Sequence, residues 1–223
     1  MYKLYGGKFT RAIIVQMVMA EGDIDYEHIE IDIIKDEHRK ADFLALNPAG
    51  YVPVLITPDG KTITETPAIN LYLCEKHSLS ELAPGIEEDD RGFFLSSLFF
   101  LSDDLEPALK QVFYPHLYVL REEDIAAMKQ KSLNLAMNRL GMIEKRLQAN
   151  GPYHLGERFS LVDIILSFWL EYLNCGGQLD DYPALSNCLK LVAKRPVLRP
   201  YFEQLTAWQE EYARLQAAGA GFK

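Results

Sequence analysis

The stretch that most constrains the fold runs from Asn47 to Leu55, where two prolines and a glycine interrupt the chain before aliphatic residues resume. Pro48 and Gly50 are typical of a turn. Pro53 has no N–H to donate to a central strand, so it predicts the first residue of a strand or a bulge. The bond between Val52 and Pro53 is a candidate for the cis form, which would leave the N–H and C=O of Val52 free to pair with an extended peptide. The alternative is an ordinary tight turn into a strand.

Composition argues against several classes of protein. The 223 residues carry a net charge of −9, which argues against a nucleic-acid-binding surface. No apolar run reaches the ~18 residues that span a membrane, and the chain begins on a predicted strand without the features of a signal peptide. The cysteines form no C-x-x-C or cysteine–histidine cluster, so we expect reduced thiols, a cytoplasmic protein and no metal site. They are Cys74, Cys175 and Cys188.

The first part of the chain predicts a mixed α/β domain in the order strand, helix, strand, helix, strand, strand, helix. Thr10 is the expected N-cap of the first helix. Thr66 is the expected N-cap of the last helix, with Pro67 at its first helical position. Asp59 and Gly60 are the expected turn of a hairpin. The predicted spans are 2–5, 10–21, 24–33, 35–46, 54–57, 61–65 and 66–77.

The rest of the chain has almost no strand signal. An acidic segment with Pro84 and Gly85 predicts a linker, so the expected organisation is a domain over 1–79, a linker over 80–90 and a helical domain over 91–223. Ser160 and Asp163 resemble a capping box at the start of an apolar helix, with aspartate in place of the usual glutamate. The predicted helices are 93–108, 122–149, 161–173, 184–194 and 197–215.

Four motifs in register resemble the cytosolic glutathione transferases, and are nearest to their theta-like and delta-like serine-type classes. They are Glu37-His38-x₄-Phe43-Leu44-x-Leu46-Asn47-Pro48, Gly50-x-Val52-Pro53-x-Leu55, Glu65-Thr66-x-Ala68-Ile69-x-x-Tyr72-Leu73 and Gly156-x-x-Phe159-Ser160-Leu161-Val162-Asp163. The resemblance covers essentially the whole chain. It implies an α/β thioredoxin-like N-terminal domain followed by an all-α helical-bundle C-terminal domain, and it implies a homodimer.

The resemblance also implies a set of residues that bind glutathione, as a co-substrate and not as a permanently bound cofactor. Val52, next to Pro53, would pair its main chain with the cysteinyl unit. Thr66 would bind the γ-glutamyl carboxylate at a helix N-terminus, where unpaired N–H groups and the helix dipole favour an anion. Glu65 would face the ammonium group of the same unit. His38 would bind the glycyl carboxylate. An equal alternative is that His38 only lies at the exposed, charged start of a helix and has no binding role.

The sequence offers three candidates for the group that activates the thiol. In the serine-type classes a serine follows the first strand, but here Gly7 stands at that position. Thr10 is our first candidate for the catalytic hydroxyl, because it lies at the start of a helix whose dipole also favours an anion. Tyr5 is the alternative, since a phenol is a better acid. Backbone N–H groups of the loop from Gly7 to Phe9 are a third possibility.

The reaction implied by the resemblance is attack by the glutathione thiolate on a small apolar electrophile. The second substrate would lie between the domains, and Phe9, Tyr114 and His116 are the candidates for lining its pocket. Two alternatives stay open: a glutathione-dependent isomerase or dehalogenase, and a non-catalytic member that binds glutathione or a partner protein. The glycine at position 7 is the feature that favours the second alternative.

Overall fold

The computed structural model describes residues 1–174 and 177–217, and the chain divides into two compact units. The first unit combines residues 1–80 with the residues from 191 onward, and the second contains residues 81–190. Cys74 and Cys188 are buried, and no disulfide joins them among the described residues, whereas Cys175 lies outside those residues. Within the described ranges, every helix is too short or too polar to cross a membrane. The domain boundaries at 79 and 91 stay a prediction.

The first unit contains a four-stranded sheet in the order β2-β1-β3-β4. β1 runs parallel to β2 and antiparallel to β3, and β3 runs antiparallel to β4. This confirms the predicted order of elements and the predicted hairpin. The strands and helices are β1 Tyr2–Gly6, α1 Ala12–Glu21, β2 Tyr26–Glu30, α2 Ala41–Leu46, β3 Val54–Ile56, β4 Thr62–Thr64 and α3 Thr66–Lys76.

The core of this unit lies between the sheet and the helices α1 and α3, which pack against each other. Leu4 of β1 and Leu55 of β3 are fully buried, as is Ile69 of α3. Burial of each such side chain contributes about 1.5–3 kcal/mol. The sheet is therefore held firmly beneath the loops at its end, which are the segments that carry the candidate site.

Several predicted boundaries are wrong at their ends. α1 begins at Ala12 with Arg11 at the N-cap, so Thr10 is not its cap. α3 begins at Thr66 itself, with Glu65 at the N-cap. The helix predicted over 35–46 is split into a 3₁₀ turn at Glu37–Arg39 and α2, because the residue between them is extended. The strand predicted over 24–33 is shorter, since only β2 pairs with β1.

The helices that follow are α4 Arg91–Phe100, α5 Glu106–Phe113, α6 Ile125–Asn150, α7 Leu161–Asn174, α8 Pro183–Ala193 and α9 Arg199–Ala217. The single helix predicted over 93–108 is instead two helices joined by a π-helical turn at Leu101–Leu105. The predicted capping box is confirmed: the Asp163 carboxylate accepts the N–H and the hydroxyl of Ser160, each at 2.9 Å.

Candidate active site

The sheet of the first unit brings three of the predicted segments to one end. β3 begins at Val54, between β1 on one side and β4 on the other. Val54 pairs with Tyr5 of β1 and with Thr64 of β4, and these are the last pairs of both ladders. The loop after β1, the turn before β3 and the start of α3 therefore lie at the same end of the sheet, although they are far apart in the sequence.

The turn before β3 presents Val52 as the sequence predicted. The Val52-Pro53 bond is cis. Within residues 1–174 and 177–217, the N–H and C=O of Val52 have no hydrogen-bond partner. Asn47 holds the turn, because its amide donates to the carbonyl of Tyr51 at 2.8 Å and its oxygen accepts the N–H of Ala49 at 3.2 Å. An extended peptide could pair with this main-chain N–H and C=O of Val52.

The start of α3 has the features of an anion site. The side chain of Thr66 is buried, and its hydroxyl oxygen has no hydrogen-bond partner among the described residues. Glu65 is exposed and has a positive φ of 66°, a conformation that non-glycine residues seldom adopt. The first N–H groups of a helix lack partners within it, so a carboxylate bound here would receive several donors.

The loop after β1 is closed by Thr10, which is 5% exposed. Its hydroxyl donates to the carbonyl of Gly7 at 2.6 Å, and its oxygen accepts the N–H groups of Gly7 and Ala12 at 3.3 Å. The one hydroxyl proton is therefore already engaged, and Thr10 would have to release the Gly7 carbonyl to donate to a sulfur atom. Tyr5 is half-buried and lies on the face of β1 opposite Leu4.

Position 7 has no room for a side chain, so it requires glycine. A Cβ atom on Gly7 would lie closer to the carbonyl oxygen of Ile31 than real Cβ atoms ever approach, and 2.7 Å from Oε1 of Glu30. The Ile31 N–H donates to the carbonyl of Gly6 at 3.1 Å, so this backbone is tied to β1. A serine side chain therefore does not fit in this loop conformation, and the Glu30 carboxylate takes up the neighbouring space.

We expect Gly7→Ser to lower the free energy of unfolding by about 1–3 kcal/mol, because the added atoms overpack a site bounded by backbone. Denaturant unfolding of the parent and the variant measures this difference. Gly92→Ser is the matched control, since a Cβ on Gly92 meets nothing within 4 Å. A Gly7→Ser variant as stable as the parent would show that the loop rearranges to admit a side chain.

His38 lies against the same turn. A Cβ atom on Gly50 would lie 3.2 Å from the carbonyl oxygen of His38 and 2.6 Å from a guanidinium nitrogen of Arg39, so these segments are packed closely. Arg39 donates to the carbonyl of Ala49 at 3.3 Å. Nδ1 of His38 is buried without a hydrogen-bond partner in the described part of the chain. Burial, followed by the charge of Arg39, lowers the pKa of His38.

Comparison with known proteins identifies the family. Residues 12–76 match the model of the glutathione S-transferase N-terminal domain, and residues 104–204 match that of the glutathione S-transferase C-terminal domain. A maleylacetoacetate isomerase from Pseudomonas aeruginosa is 35% identical over 198 residues, covering 85% of this chain and 90% of that protein. The chain belongs to the glutathione S-transferase family. The predicted family and fold class are thus confirmed.

Solved structures of family members agree with this assignment. A glutathione transferase from Methylococcus capsulatus is 29% identical with a TM-score of 0.78, and the match covers 93% of this chain and 100% of that one. A glutathione transferase homologue from Sulfitobacter, with bound glutathione, has a TM-score of 0.81. At 23% identity, over 92% of this chain and 98% of the other, the second match supports the fold alone.

The residues predicted to line a second-substrate pocket lie in both units. Tyr114 and His116 belong to the second unit, where their rings meet edge-on with centroids 6.5 Å apart. Phe9 belongs to the first unit, and its ring contacts Trp208 and Tyr212 of α9. Their role with a second substrate stays a prediction.

The sequence analysis assigned no role to three residues that lie around the candidate glutathione site. Asn47 stands in one of the motifs but was given no role, although an asparagine before a proline is itself a turn signal. Glu30 reaches the space beside Gly7 from another strand, and local sequence carries no sign of this. Asn70 lies one turn after Thr66 in α3, is fully buried, and has no partner for either amide atom among the described residues.

Proposed function

We propose that this protein is a glutathione transferase, in which bound glutathione attacks a small apolar electrophile. The observation that carries the proposal is the placement, at one end of the sheet, of two groups that have no hydrogen-bond partner among the described residues: the main chain of Val52 and the buried Thr66 hydroxyl at the start of α3. Membership of the family supports it. An anionic peptide needs both features: a strand-like edge for its backbone and donors for its carboxylates.

Each glutathione-binding residue has a distinct task in this proposal. Val52, beside Pro53, pairs with the cysteinyl main chain and so places the sulfur atom near the loop after β1. Thr66 and the first N–H groups of α3 bind the γ-glutamyl carboxylate, while the Glu65 carboxylate pairs with the ammonium group. His38 donates a hydrogen bond to the glycyl carboxylate, and its Nδ1, which has no partner among the described residues, supports this assignment.

The chemistry starts with loss of the thiol proton to solvent. A free thiol has a pKa of ~8.5, so a donor or a positive charge near the sulfur raises the thiolate fraction at neutral pH. The thiolate then forms a bond to an electrophilic carbon. A leaving group departs with its bonding electrons, or an addition product takes a proton from water. No permanently bound cofactor is needed for these steps.

A glutathione-dependent isomerase is the second candidate, because the relative from Pseudomonas aeruginosa carries the name maleylacetoacetate isomerase. In that reaction class the thiolate adds to an activated cis double bond, which turns that bond into a single bond. Rotation about this carbon–carbon bond and expulsion of the thiolate then give the trans product. Glutathione is then recovered unchanged. The same binding residues would serve both reactions.

One set of measurements separates these functions. Calorimetry first tests whether the purified protein binds glutathione, and absence of binding would overturn the proposal. A panel containing a haloarene, an epoxide and an activated cis alkene is then followed for loss of free thiol and for product. A transferase consumes one glutathione per product, whereas an isomerase forms product at constant thiol. Binding without turnover of any compound would support the non-catalytic alternative.

We expect Thr10→Val to raise the pKa of the bound glutathione thiol, because in our proposal the Thr10 hydroxyl turns from the Gly7 carbonyl to the sulfur. Thr10→Ser keeps the hydroxyl and should titrate like the parent. The absorbance of the bound thiolate, followed against pH, measures the effect, and unfolding curves control for the lost loop contacts. If Thr10→Val titrates like the parent while Tyr5→Phe shifts upward, then the phenol is the donor.

The remaining parts of the proposal rest on the family. We propose that Phe9, Tyr114 and His116 contact the electrophile, and that the protein is a cytoplasmic homodimer. Aromatic side chains would favour a flat, apolar second substrate. Sedimentation analysis tests the dimer, and a change in electrophile preference in Tyr114→Ala tests the pocket.

A further inference from the structure

Lys8 follows Gly7 directly and carries a positive charge in the loop where the glutathione sulfur is expected. Its ammonium group binds both carboxylate oxygens of Glu211 on α9, at 3.1 and 3.0 Å. The two side chains are 54% and 39% exposed. Because exposed ion pairs contribute little to stability, a competing anion can draw Lys8 away from Glu211 at small cost.

The neutral donors of the loop are already shared with acceptors of the protein. The Thr10 hydroxyl donates to Gly7, and the Gly7 N–H points back to the Thr10 oxygen. The N–H of Lys8 donates to Oε1 of Glu30 at 3.3 Å. A thiolate would have to compete for each of these donors. The Lys8 ammonium group has three donor hydrogens and a full charge, so it can offer the sulfur a strong hydrogen bond.

The last helix holds this loop in a defined position. The Phe9 ring lies 6.0 Å from the Trp208 ring and 5.7 Å from the Tyr212 ring, centroid to centroid. Phe9 has a positive φ of 63°, which is rare for a bulky residue and indicates that its surroundings fix it. The contacts with α9 therefore limit the positions that the neighbouring Lys8 can take.

Other charged groups near the loop also affect the stability of a thiolate bound there. Glu30 lies beside Gly7, and its carboxylate is 3.9 Å from the His28 ring, which in turn contacts the carbonyl of Gly6 at 3.0 Å. Arg11 precedes α1. The Glu30 and Glu211 carboxylates both disfavour a neighbouring thiolate, whereas Lys8 favours it.

We propose that the Lys8 ammonium group stabilises the glutathione thiolate in addition to the Thr10 hydroxyl, and that Glu211 tunes this effect by competing for Lys8. The inference rests on the proposed function. The thiol proton passes to solvent, Lys8 stays protonated, and its ammonium group exchanges the Glu211 carboxylate for the sulfur. Helix α9 thereby acts on the chemistry through a charge as well as through packing.

The test is the pKa of the bound thiol, read from thiolate absorbance against pH at saturating glutathione. Lys8→Met should raise this pKa by about 0.5 to 1, and Lys8→Arg should restore it. Glu211→Gln should lower it, because Lys8 is released and a negative charge is lost. Glu211→Gln should lower the pKa less in the Lys8→Met background than in the parent protein. The Lys8 effect should shrink in 1 M salt.

The directions of these shifts separate an electrostatic role from a structural one. If the ion pair only holds the loop, Lys8→Met and Glu211→Gln break the same contact and move the pKa the same way, which overturns the inference. An unchanged pKa in Lys8→Met, with glutathione affinity kept in calorimetry, also overturns it and leaves the proposed function intact. A parent protein that binds no glutathione overturns the proposed function and this inference with it.

Discussion

Asp163→Ala should lower the free energy of unfolding by about 3 to 5 kcal/mol, because several buried hydrogen-bond donors at the start of α7 lose their acceptor. Asp163 is fully buried at the start of α7. Its carboxylate accepts the N–H of His154 at 2.8 Å in addition to the N–H and hydroxyl of Ser160. The Cys188 thiol is a fourth donor, at 3.8 Å. The substitution takes this acceptor from all four, and an unsatisfied buried donor costs about 1–3 kcal/mol.

Urea unfolding followed by Trp169 fluorescence measures this change, because that indole lies in α7. The sequence has two tryptophans, so a Trp208→Phe background leaves Trp169 as the one reporter. Asp181→Ala, at an exposed aspartate of the same unit, is the matched control and should stay within about 0.5 kcal/mol of the parent. A loss below 1 kcal/mol in Asp163→Ala would contradict the network as described.

Thr66→Val should weaken glutathione binding by about 10-fold to 100-fold, because a hydrogen bond to a charged group is worth about 1.5–3 kcal/mol. The same change should not lower stability. The hydroxyl has no partner among the described residues, and valine has nearly the same shape. Lower affinity with unchanged stability therefore marks a binding role. Calorimetry gives the affinity, and Thr62→Val on β4 is the matched control.

Glu65→Gln tests the other half of the same assignment. We expect a similar loss of affinity for glutathione, because the ammonium group of the γ-glutamyl unit loses its counter-charge. For an analogue that has a glutaryl group in place of the γ-glutamyl unit, the ammonium group is absent and Glu65→Gln should change little. Parent-like affinity for glutathione in both Thr66→Val and Glu65→Gln would remove this end of the sheet as the binding site.

The order of strands and helices was predictable because turn and capping residues mark where these elements begin and end. The Asp59-Gly60 turn between two short runs rich in β-branched residues predicts a hairpin, and Ser160 with Asp163 before an apolar run predicts a cap; both were confirmed. The cis bond before Pro53 was one of two interpretations of that stretch, beside an ordinary tight turn, because proline makes the cis form accessible. Four motifs in register then identified the family.

Helix starts were predicted less well, because a small hydroxyl residue before a helix can serve more than one purpose. Thr10 closes the loop onto the Gly7 carbonyl and leaves the cap to Arg11. Thr66 enters the helix and leaves the cap to Glu65. Which hydrogen bond such a residue makes depends on the path of the neighbouring chain, and that path is set by the sheet.

By itself, the sequence determined the family, the α/β order of the first domain and the residues that bind glutathione in our proposal. Only the tertiary structure decided why position 7 is glycine, because the atoms that exclude a side chain belong to Glu30 at the end of β2 and to Ile31, which follows it. Only the tertiary structure paired Lys8 with Glu211, which are 203 residues apart. A contact between distant residues depends on how the whole chain folds back on itself, and no local pattern of residue types records it.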